Sequence, residues 1–201
     1  EEKPFNPIAY KDRIYYIYGS QLRSTNGAPN GDILVKDFKE WMYYLGPVEM
    51  NGSLYFNVWL SDSYVFQLWR SDGTTAGTIL VKSMNQWPTT YPHWGFNMVS
   101  AGRKVYFIGK SDANGDELWE TDGTTAGTQM VADIVPGSAY PEYSSRLVVG
   151  DTLYFVTSNE QKYTLWKTQG KTSGIQKVVE DTSSLGLIGT NNTLVCFSAP
   201  G

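Results

Sequence analysis

Residues 68–78 read LWRSDGTTAGT and residues 118–128 read LWETDGTTAGT, so nine of eleven letters agree across a spacing of 50 residues. Two weaker copies of the same stretch lie within residues 21–36 and 164–179. The shared leucines, which follow one another by 46, 50 and 47 residues, are Leu22, Leu68, Leu118 and Leu165. A repeat of this length is typical of propellers and solenoids.

A second landmark precedes each copy, namely a turn followed by a short apolar and aromatic strand. It occurs at residues 11–17, 51–57, 102–108 and 150–156, and once more at 191–197. Each repeat therefore reads as four strands, a to d, and no segment keeps a helical apolar period. These patterns predict an all-β fold, a β-propeller built of four-stranded repeats of about 47 residues.

The number of repeats leaves the closure of such a ring open. We expect one repeat domain over residues 1–201. Its repeats are expected at residues 5–38, 44–84, 95–135 and 145–181, with a partial fifth at 185–200. The ring has four blades and a surplus hairpin, or five blades with an incomplete last one, or the chain is a piece of a longer array. Because unpaired strand edges invite pairing, we expect an irregular last blade or strand exchange that makes a homo-oligomer.

The repeated stretch joins strands c and d, and its acidic residues allow two interpretations. Asp72-Gly73 and Asp122-Gly123 are either a metal or catalytic site, or a turn in which the carboxylate accepts backbone N–H groups. The weaker copies favour the structural turn, because Asn26-Gly27 keeps the turn but not the charge. The tryptophans that share one repeat position, and that we expect to pack between blades, are Trp69, Trp119 and Trp166.

The stretch at residues 117–138, ELWETDGTTAGTQMVADIVPGS, also resembles a known repeat. It is similar to the ELWxTDGTxxGTxLVKDIxPGS repeat, a hyalin-like β-propeller repeat of large secreted and surface proteins best known from bacteria. The resemblance covers essentially the whole chain and is closest in the second and third repeats. It implies an extracellular or cell-surface β-propeller-like domain, in a repeat class without a well-defined catalytic activity.

Composition and charge exclude several classes of function. The net charge is −4 and no run of Lys or Arg occurs, which argues against nucleic-acid binding. No apolar run reaches the roughly 20 residues of a membrane helix. His93 and Cys196 are the single histidine and cysteine, so neither a zinc site nor a Ser-His-Asp triad is expected. We therefore expect no metal, no cofactor and no enzyme activity, and we read the alternating acids in residues 111–118 as a hairpin rather than a calcium loop.

The segments that join strand d to the next strand a are rich in aromatic residues. These segments, at residues 37–46, 83–96 and 133–146, carry rings suited to stacking on sugars or anchoring proteins, unless they fill the space between blades. The candidate ligand-binding residues are Trp41, Tyr43, Tyr44, Trp87, Tyr91, Trp94, Tyr140 and Tyr143.

These loops favour a non-catalytic, lectin-like module that binds glycans. The first alternative is a structural or adhesion unit that binds a surface protein or itself, and the second is a polysaccharide-acting enzyme. Two sequons, at Asn51 and Asn191, fall at the same a–b turn and are candidate glycosylation sites.

Overall fold

The computed structural model describes residues 5–40, 42–86, 98–111, 114–134, 142–159, 162–181, 186–190 and 195–198. Every regular element in these ranges is a β-strand. The strands form four four-stranded antiparallel sheets and one two-stranded hairpin. Each sheet follows chain order from one edge to the other, so neighbouring strands are joined by short local turns.

The chain divides into two compact units, of which the first is Glu1–Pro92. This unit contains sheets 1 and 2. The strands of sheet 1 are β1 (Phe5–Tyr10), β2 (Arg13–Tyr18), β3 (Gln21–Thr25) and β4 (Ile33–Asp37). The strands of sheet 2 are β5 (Met42–Met50), β6 (Ser53–Leu60), β7 (Val65–Ser71) and β8 (Ile79–Gln86).

The second unit, His93–Gly201, contains sheets 3 and 4 and the hairpin. The strands of sheet 3 are β9 (Val99–Ala101), β10 (Lys104–Ser111), β11 (Gly115–Thr121) and β12 (Gln129–Met130). The strands of sheet 4 are β13 (Glu142–Val149), β14 (Thr152–Asn159), β15 (Lys162–Thr168) and β16 (Ile175–Asp181). The hairpin strands are β17 (Gly186–Thr190) and β18 (Val195–Ser198).

Several strands are longer than the sequence pattern predicted. Strand β5 already begins at Met42, β8 continues to Gln86, and β13 begins at Glu142, so all three strands reach into the predicted joining loops. In β5 and β13 the added residues include Tyr43, Tyr44 and Tyr143, and aromatic residues favour a paired strand. Extending the ladder also pairs backbone N–H and C=O groups that a loop would leave to water.

Each sheet has two faces, because successive side chains of a strand point to opposite sides. In sheet 1 the face that meets sheet 2 carries Tyr15, Ile17, Leu22 and Val35, and we call it the trailing face. The leading face is the side that packs on the preceding sheet, and in sheet 2 it carries Leu54, Phe56, Val58 and Trp69. The two faces form one buried cluster, and each large side chain in it contributes about 1.5–3 kcal/mol of burial.

The second unit repeats this arrangement at the same positions of the repeat. The trailing face of sheet 3 packs Tyr106, Ile108, Leu118 and Val131 against sheet 4. On the other side of this contact, the leading face of sheet 4 carries Leu153, Phe155 and Trp166. The tryptophan position therefore lies between sheets in both units, as the repeat register predicts.

Candidate functional site

The repeated stretch of sheet 2 is a tight turn between β7 and β8. The carboxylate Oδ1 of Asp72 accepts hydrogen bonds from the backbone N–H and the hydroxyl of Thr74, at 2.9 and 2.7 Å. The Thr74 hydroxyl oxygen accepts the N–H of Gly77 at 2.9 Å. These bonds lower the pKa of Asp72, the hydroxyl of Thr74 contributing most. Every donor of the carboxylate is local, so the acid holds the loop together.

The turn of sheet 3 has the same geometry. Asp122 Oδ1 accepts the N–H and the hydroxyl of Thr124 at 2.9 and 2.7 Å, and Gly127 donates to the Thr124 hydroxyl oxygen at 2.9 Å. The pKa of Asp122 is lowered for the same reason. A Cβ on Gly127 would overlap the Asp122 carboxylate, so this position requires glycine. Among the described residues no group of three or more His, Cys, Asp or Glu could hold a metal ion.

The first and fourth copies keep the turn with other hydrogen-bonding groups. In sheet 1 the amide oxygen of Asn26 accepts the N–H of Ala28 at 3.1 Å. In sheet 4 the N–H of Gln169 donates to Ser173 Oγ at 3.2 Å, and its side-chain amide donates to Thr152 Oγ1 at 2.9 Å. The glycine that follows has a positive φ in all four copies, between 80° and 106°.

In the first unit this turn docks on the trailing face of the preceding sheet. Lys11 Nζ donates to the backbone oxygen of Asp72 at 2.9 Å, and the Tyr15 hydroxyl donates to the backbone oxygen of Gly73 at 3.3 Å. A Cβ on Gly73 would overlap the Tyr15 hydroxyl. The glycine therefore serves both the turn and the close approach of two sheets. We call this contact the turn joint.

The second unit contains the same joint, but different polar side chains bind the turn there; we call such a set of polar contacts the polar lock of a joint. Lys104 Nζ lies 2.9 Å from Glu120 Oε2 and donates to the backbone oxygen of Gln169 at 3.3 Å. The same carboxylate oxygen accepts the backbone N–H of Lys171 at 3.0 Å. A Cβ on Gly170 would overlap both Lys104 Nζ and Glu120 Oε2. In both units, then, a lysine of one sheet binds the backbone oxygen that precedes the turn glycine of the next.

Sheet 4 carries an open pocket where sheets 1 and 3 receive such a turn. Its volume is about 200 Å³. Tyr154 and Lys167 line it, and they lie on the trailing face because each is two residues along its strand from a residue of that face, Val156 and Leu165 respectively. The remaining lining residues are Thr152, Thr168, Gln169, Ser173, Gly174 and Gln176.

This pocket is absent from the sequence-based candidates, although the repeat alignment contains a signal for it. Lys167 and Gln176 align with Glu120 and Gln129, which form part of the joint in sheet 3. There Gln129 Nε2 donates to Glu120 Oε1 at 3.1 Å. Polar residues at these two positions therefore mark the place where a turn of the next repeat is received.

Of the predicted aromatic residues, the described part of the chain contains Tyr43, Tyr44 and Tyr143. Trp41, Trp87, Tyr91, Trp94 and Tyr140 lie outside the described residues. Tyr43 and Tyr44 lie on β5, where they pair with Trp59 and Val58, and thus in a strand rather than in the predicted loop.

Tyr143 is a core residue rather than an exposed binding ring. It is 4% exposed and lies 6.1 Å from the Phe155 ring, measured between ring centroids. Burial raises its pKa, and the charges of Glu117 and Asp116 add to the effect. For this residue the structure shows the alternative interpretation, in which the ring fills the space between two sheets.

The acidic residues of the hairpin between β10 and β11 in sheet 3 also have structural contacts. Asp116 and Glu117 are both buried on β11. Glu117 Oε2 accepts the N–H of Ile134 at 3.0 Å, and Asn114 Nδ2 donates to Asp133 Oδ2 at 2.6 Å. These bonds tie the hairpin to the segment after β12, which is a structural role.

Among the remaining candidates, Asn51 is exposed in the turn between β5 and β6. Its φ is 51° and that of Gly52 is 71°, as in the two-residue turns that suit a twisted hairpin. Asn191 and His93 lie outside the described residues, whereas Cys196 lies on β18. In the part of the chain that the structure describes, no helix is long and apolar enough to cross a membrane.

No protein-family model matches the sequence, and no curated protein matches it. The chain is similar in structure to an oligogalacturonate lyase, with a TM-score of 0.59 and 13% identity over 88% of this chain and 53% of the lyase. It is also similar to a prolyl endopeptidase, with a TM-score of 0.55 and 14% identity over 90% of this chain and 29% of the endopeptidase. The chain thus spans about half or less of these proteins. At such low identity the likeness establishes the fold, an all-β, β-propeller-like arrangement of four-stranded sheets.

Proposed function

We propose that this protein is a non-catalytic binding module at the cell surface or outside the cell, and that the pocket of sheet 4 binds a carbohydrate. The lining of that pocket is the observation that carries the proposal. Hydroxyl and amide groups line it beside the ring of Tyr154, and such a mixture suits the hydroxyl groups and apolar face of a sugar. Its volume of about 200 Å³ is below the roughly 300–1,000 Å³ of drug-sized sites, which favours a single sugar residue.

The charge of the lining favours an acidic sugar. Lys167 is a cation, and the lining contains no carboxylate to neutralise it. A charge-assisted hydrogen bond from Lys167 to a sugar carboxylate would be about twice as strong as a neutral one. The amides of Gln169 and Gln176 would then bind the neighbouring hydroxyl groups.

The same lining argues against glycoside hydrolysis at this pocket. No carboxylate belongs to it, so the pair of Asp or Glu residues that glycoside hydrolysis usually requires is missing. We therefore favour a binding module over a polysaccharide-acting enzyme as the function of this protein. The structural neighbours that are enzymes share 13–14% identity with the chain, and they support its fold rather than a reaction.

Calorimetric titration with two oligosaccharides of equal length, one with a uronic acid and one neutral, tests the proposal. We expect binding of the acidic ligand that weakens as salt is added. Lys167→Met should weaken it about tenfold or more, while Arg70→Met, a matched change at the same repeat position of sheet 2, should not. Tyr154→Ala should weaken both ligands, against Tyr64→Ala as an exposed control. Absence of binding, or equal binding by Lys167→Met, would overturn the proposal.

A structural or adhesion role is the second candidate. The specific observation in its favour is that the leading face of sheet 1 carries Ile14 and Tyr18, which are 47% and 44% exposed.

A further inference from the structure

We propose that the pocket of sheet 4 recognises the non-reducing end of an acidic polysaccharide, by binding the carboxylate and the adjacent 4-hydroxyl of a terminal uronic acid residue. This inference deepens the proposed carbohydrate binding and rests on it. It names the sugar residue of the chain that is bound and the side chain that selects it. The hydrogen bonds around Gln169 carry the argument.

Gln169 differs from the residues at the same repeat position in where its side chain goes. Asp72 and Asp122 turn back on their own loops, where each Oδ1 accepts the N–H two residues ahead at 2.9 Å. Asn26 does the same at 3.1 Å. The longer side chain of Gln169 instead crosses to Thr152 on β14, and Nε2 donates to Oγ1 at 2.9 Å. In sheet 4 this position therefore lines the pocket rather than closing the turn.

The backbone of Gln169 is held on both sides as well. Its N–H donates to Ser173 Oγ at 3.2 Å, and its carbonyl oxygen accepts a hydrogen bond from Lys104 Nζ at 3.3 Å. Because Nε2 is bound to Thr152, the side-chain atom that remains is Oε1, which can only accept. Among the described residues no donor is bonded to this oxygen. It is therefore preorganised for a donor group of a ligand, such as a hydroxyl.

The complementary chemistry comes from Lys167 and Tyr154. In the described part of the chain neither side chain makes a hydrogen bond, so the ammonium group and the phenol are available to an anionic ligand. The other hydroxyl groups are used internally: Thr168 donates to the backbone oxygen of Gly174 at 2.8 Å, and Ser173 to another backbone oxygen of the turn at 3.0 Å. A ligand that satisfies the pocket thus has an anionic acceptor with a hydroxyl donor beside it.

A hexuronic acid has these two groups side by side in only one place. Its carboxyl group is attached to C5, whose ring neighbours are the ring oxygen and C4, so the adjacent hydroxyl is the 4-hydroxyl. In a 1,4-linked chain every internal O4 forms a glycosidic bond and has no proton to donate. Only the residue at the non-reducing end keeps this hydroxyl. The pocket volume of about 200 Å³, which suits one sugar residue, agrees with recognition of a chain end.

Calorimetric titration with methyl glucuronide, its C4 epimer methyl galacturonide and the 4-deoxy analogue common to both measures the contribution of the hydroxyl. We expect the better-bound epimer to bind about tenfold more tightly than the 4-deoxy analogue. Gln169→Leu should abolish this difference by weakening only the sugar that has the hydroxyl. Thr152→Val, which releases the amide from its anchor, should reduce the difference. Thr172→Val is an exposed change in the same turn outside the pocket lining, and should preserve it.

Equal binding of the epimer and the 4-deoxy analogue by wild-type protein would overturn the inference. A loss in Gln169→Leu that is the same for both ligands would also overturn it, because the glutamine would then support the shape of the pocket and not select the hydroxyl. Circular dichroism checks that each variant is folded.

Titration with 1,4-linked polyuronates of two lengths tests the recognition of ends directly. We expect one bound protein per chain at both lengths, since each chain has one non-reducing end. A number of bound proteins that grows with chain length would overturn end recognition and leave acidic-carbohydrate binding intact. Absence of binding to every acidic ligand, whether a single sugar or a chain, would overturn the proposed function together with this inference.

Discussion

The two closed joints, sheet 1 with sheet 2 and sheet 3 with sheet 4, share their apolar faces and differ in their polar locks. The same repeat positions supply the buried cluster in both units. The locks are unlike: Lys11 and Tyr15 bind backbone oxygens in the first unit, while Lys104 and Glu120 form an ion pair against the turn in the second. The two joints thus share their apolar contact and a lysine bound to the backbone oxygen before the turn glycine. They differ in the second polar group, which is the Tyr15 hydroxyl in the first unit and the Glu120 carboxylate in the second.

The largest effect is expected where the same repeat position is covered in one sheet and exposed in another. Phe155→Ala removes a fully buried ring from the joint of the second unit and should lower the free energy of unfolding by about 3–5 kcal/mol. Tyr16→Ala, at the same repeat position in sheet 1, removes a half-exposed ring and one hydrogen bond, and should cost about 1 kcal/mol. Urea denaturation of dilute protein measures both, and equal losses would show that the leading face of sheet 1 is covered after all.

The second comparison concerns the turn glycines. Gly73→Ala and Gly27→Ala both place a Cβ at positive φ, which costs about 1 kcal/mol in each case. Only Gly73 is pressed against Tyr15, so its replacement should cost about 1–3 kcal/mol more. Thermal and urea unfolding of the two variants isolates the docking contribution, since the backbone cost cancels. Similar losses in both would mean that the glycine serves the turn alone.

The third comparison concerns the two lysines. Lys104→Met leaves the buried Glu120 carboxylate without its ion-pair partner and should cost about 2 kcal/mol, less than a fully buried pair because Lys104 is half-exposed. Lys11→Met removes an exposed hydrogen bond to a backbone oxygen and should cost much less than Lys104→Met. Unfolding in urea gives both values. The double variant Lys104→Met, Glu120→Gln should recover part of the loss, and a failure to do so would contradict the ion-pair explanation.

Much of the fold follows from the sequence because its signals are local. The glycine turns and the alternation of apolar residues predict strands b, c and d of each repeat, and the position of Trp69 predicts a contact between sheets. The ends of the a strands were harder to predict. Tyr43 and Tyr44, for example, are aromatic residues that suit a strand as well as a binding loop.

The candidate site was harder to predict because it depends on what lies beside a sheet. Tyr143 has the composition of a binding residue, but its neighbour across the joint makes it a core residue. The pocket of sheet 4 exists because Tyr154 and Lys167 lie on a face that no later turn covers in the described structure. The lysine of each joint comes from a different position of the repeat, so an alignment of repeats does not reveal their common role.

The smallest effect tests the carboxylate of the turn itself, through its pH dependence. Hydrogen bonds from Thr74 lower the pKa of Asp72, so the ionised carboxylate stabilises the fold above the unfolded value of about 4. This contribution is lost as the pH falls through the lower folded pKa. Asp72→Asn keeps an oxygen acceptor, as Asn26 does in sheet 1, and removes the charge. We expect its melting temperature to lie slightly below that of wild type near neutral pH, and the gap to close as the pH falls below the unfolded pKa of about 4. Asp122→Asn is the matched variant with the same turn geometry. A gap that persists in acid would mean that the amide fails to replace the oxygen geometrically and that charge has no part in the effect.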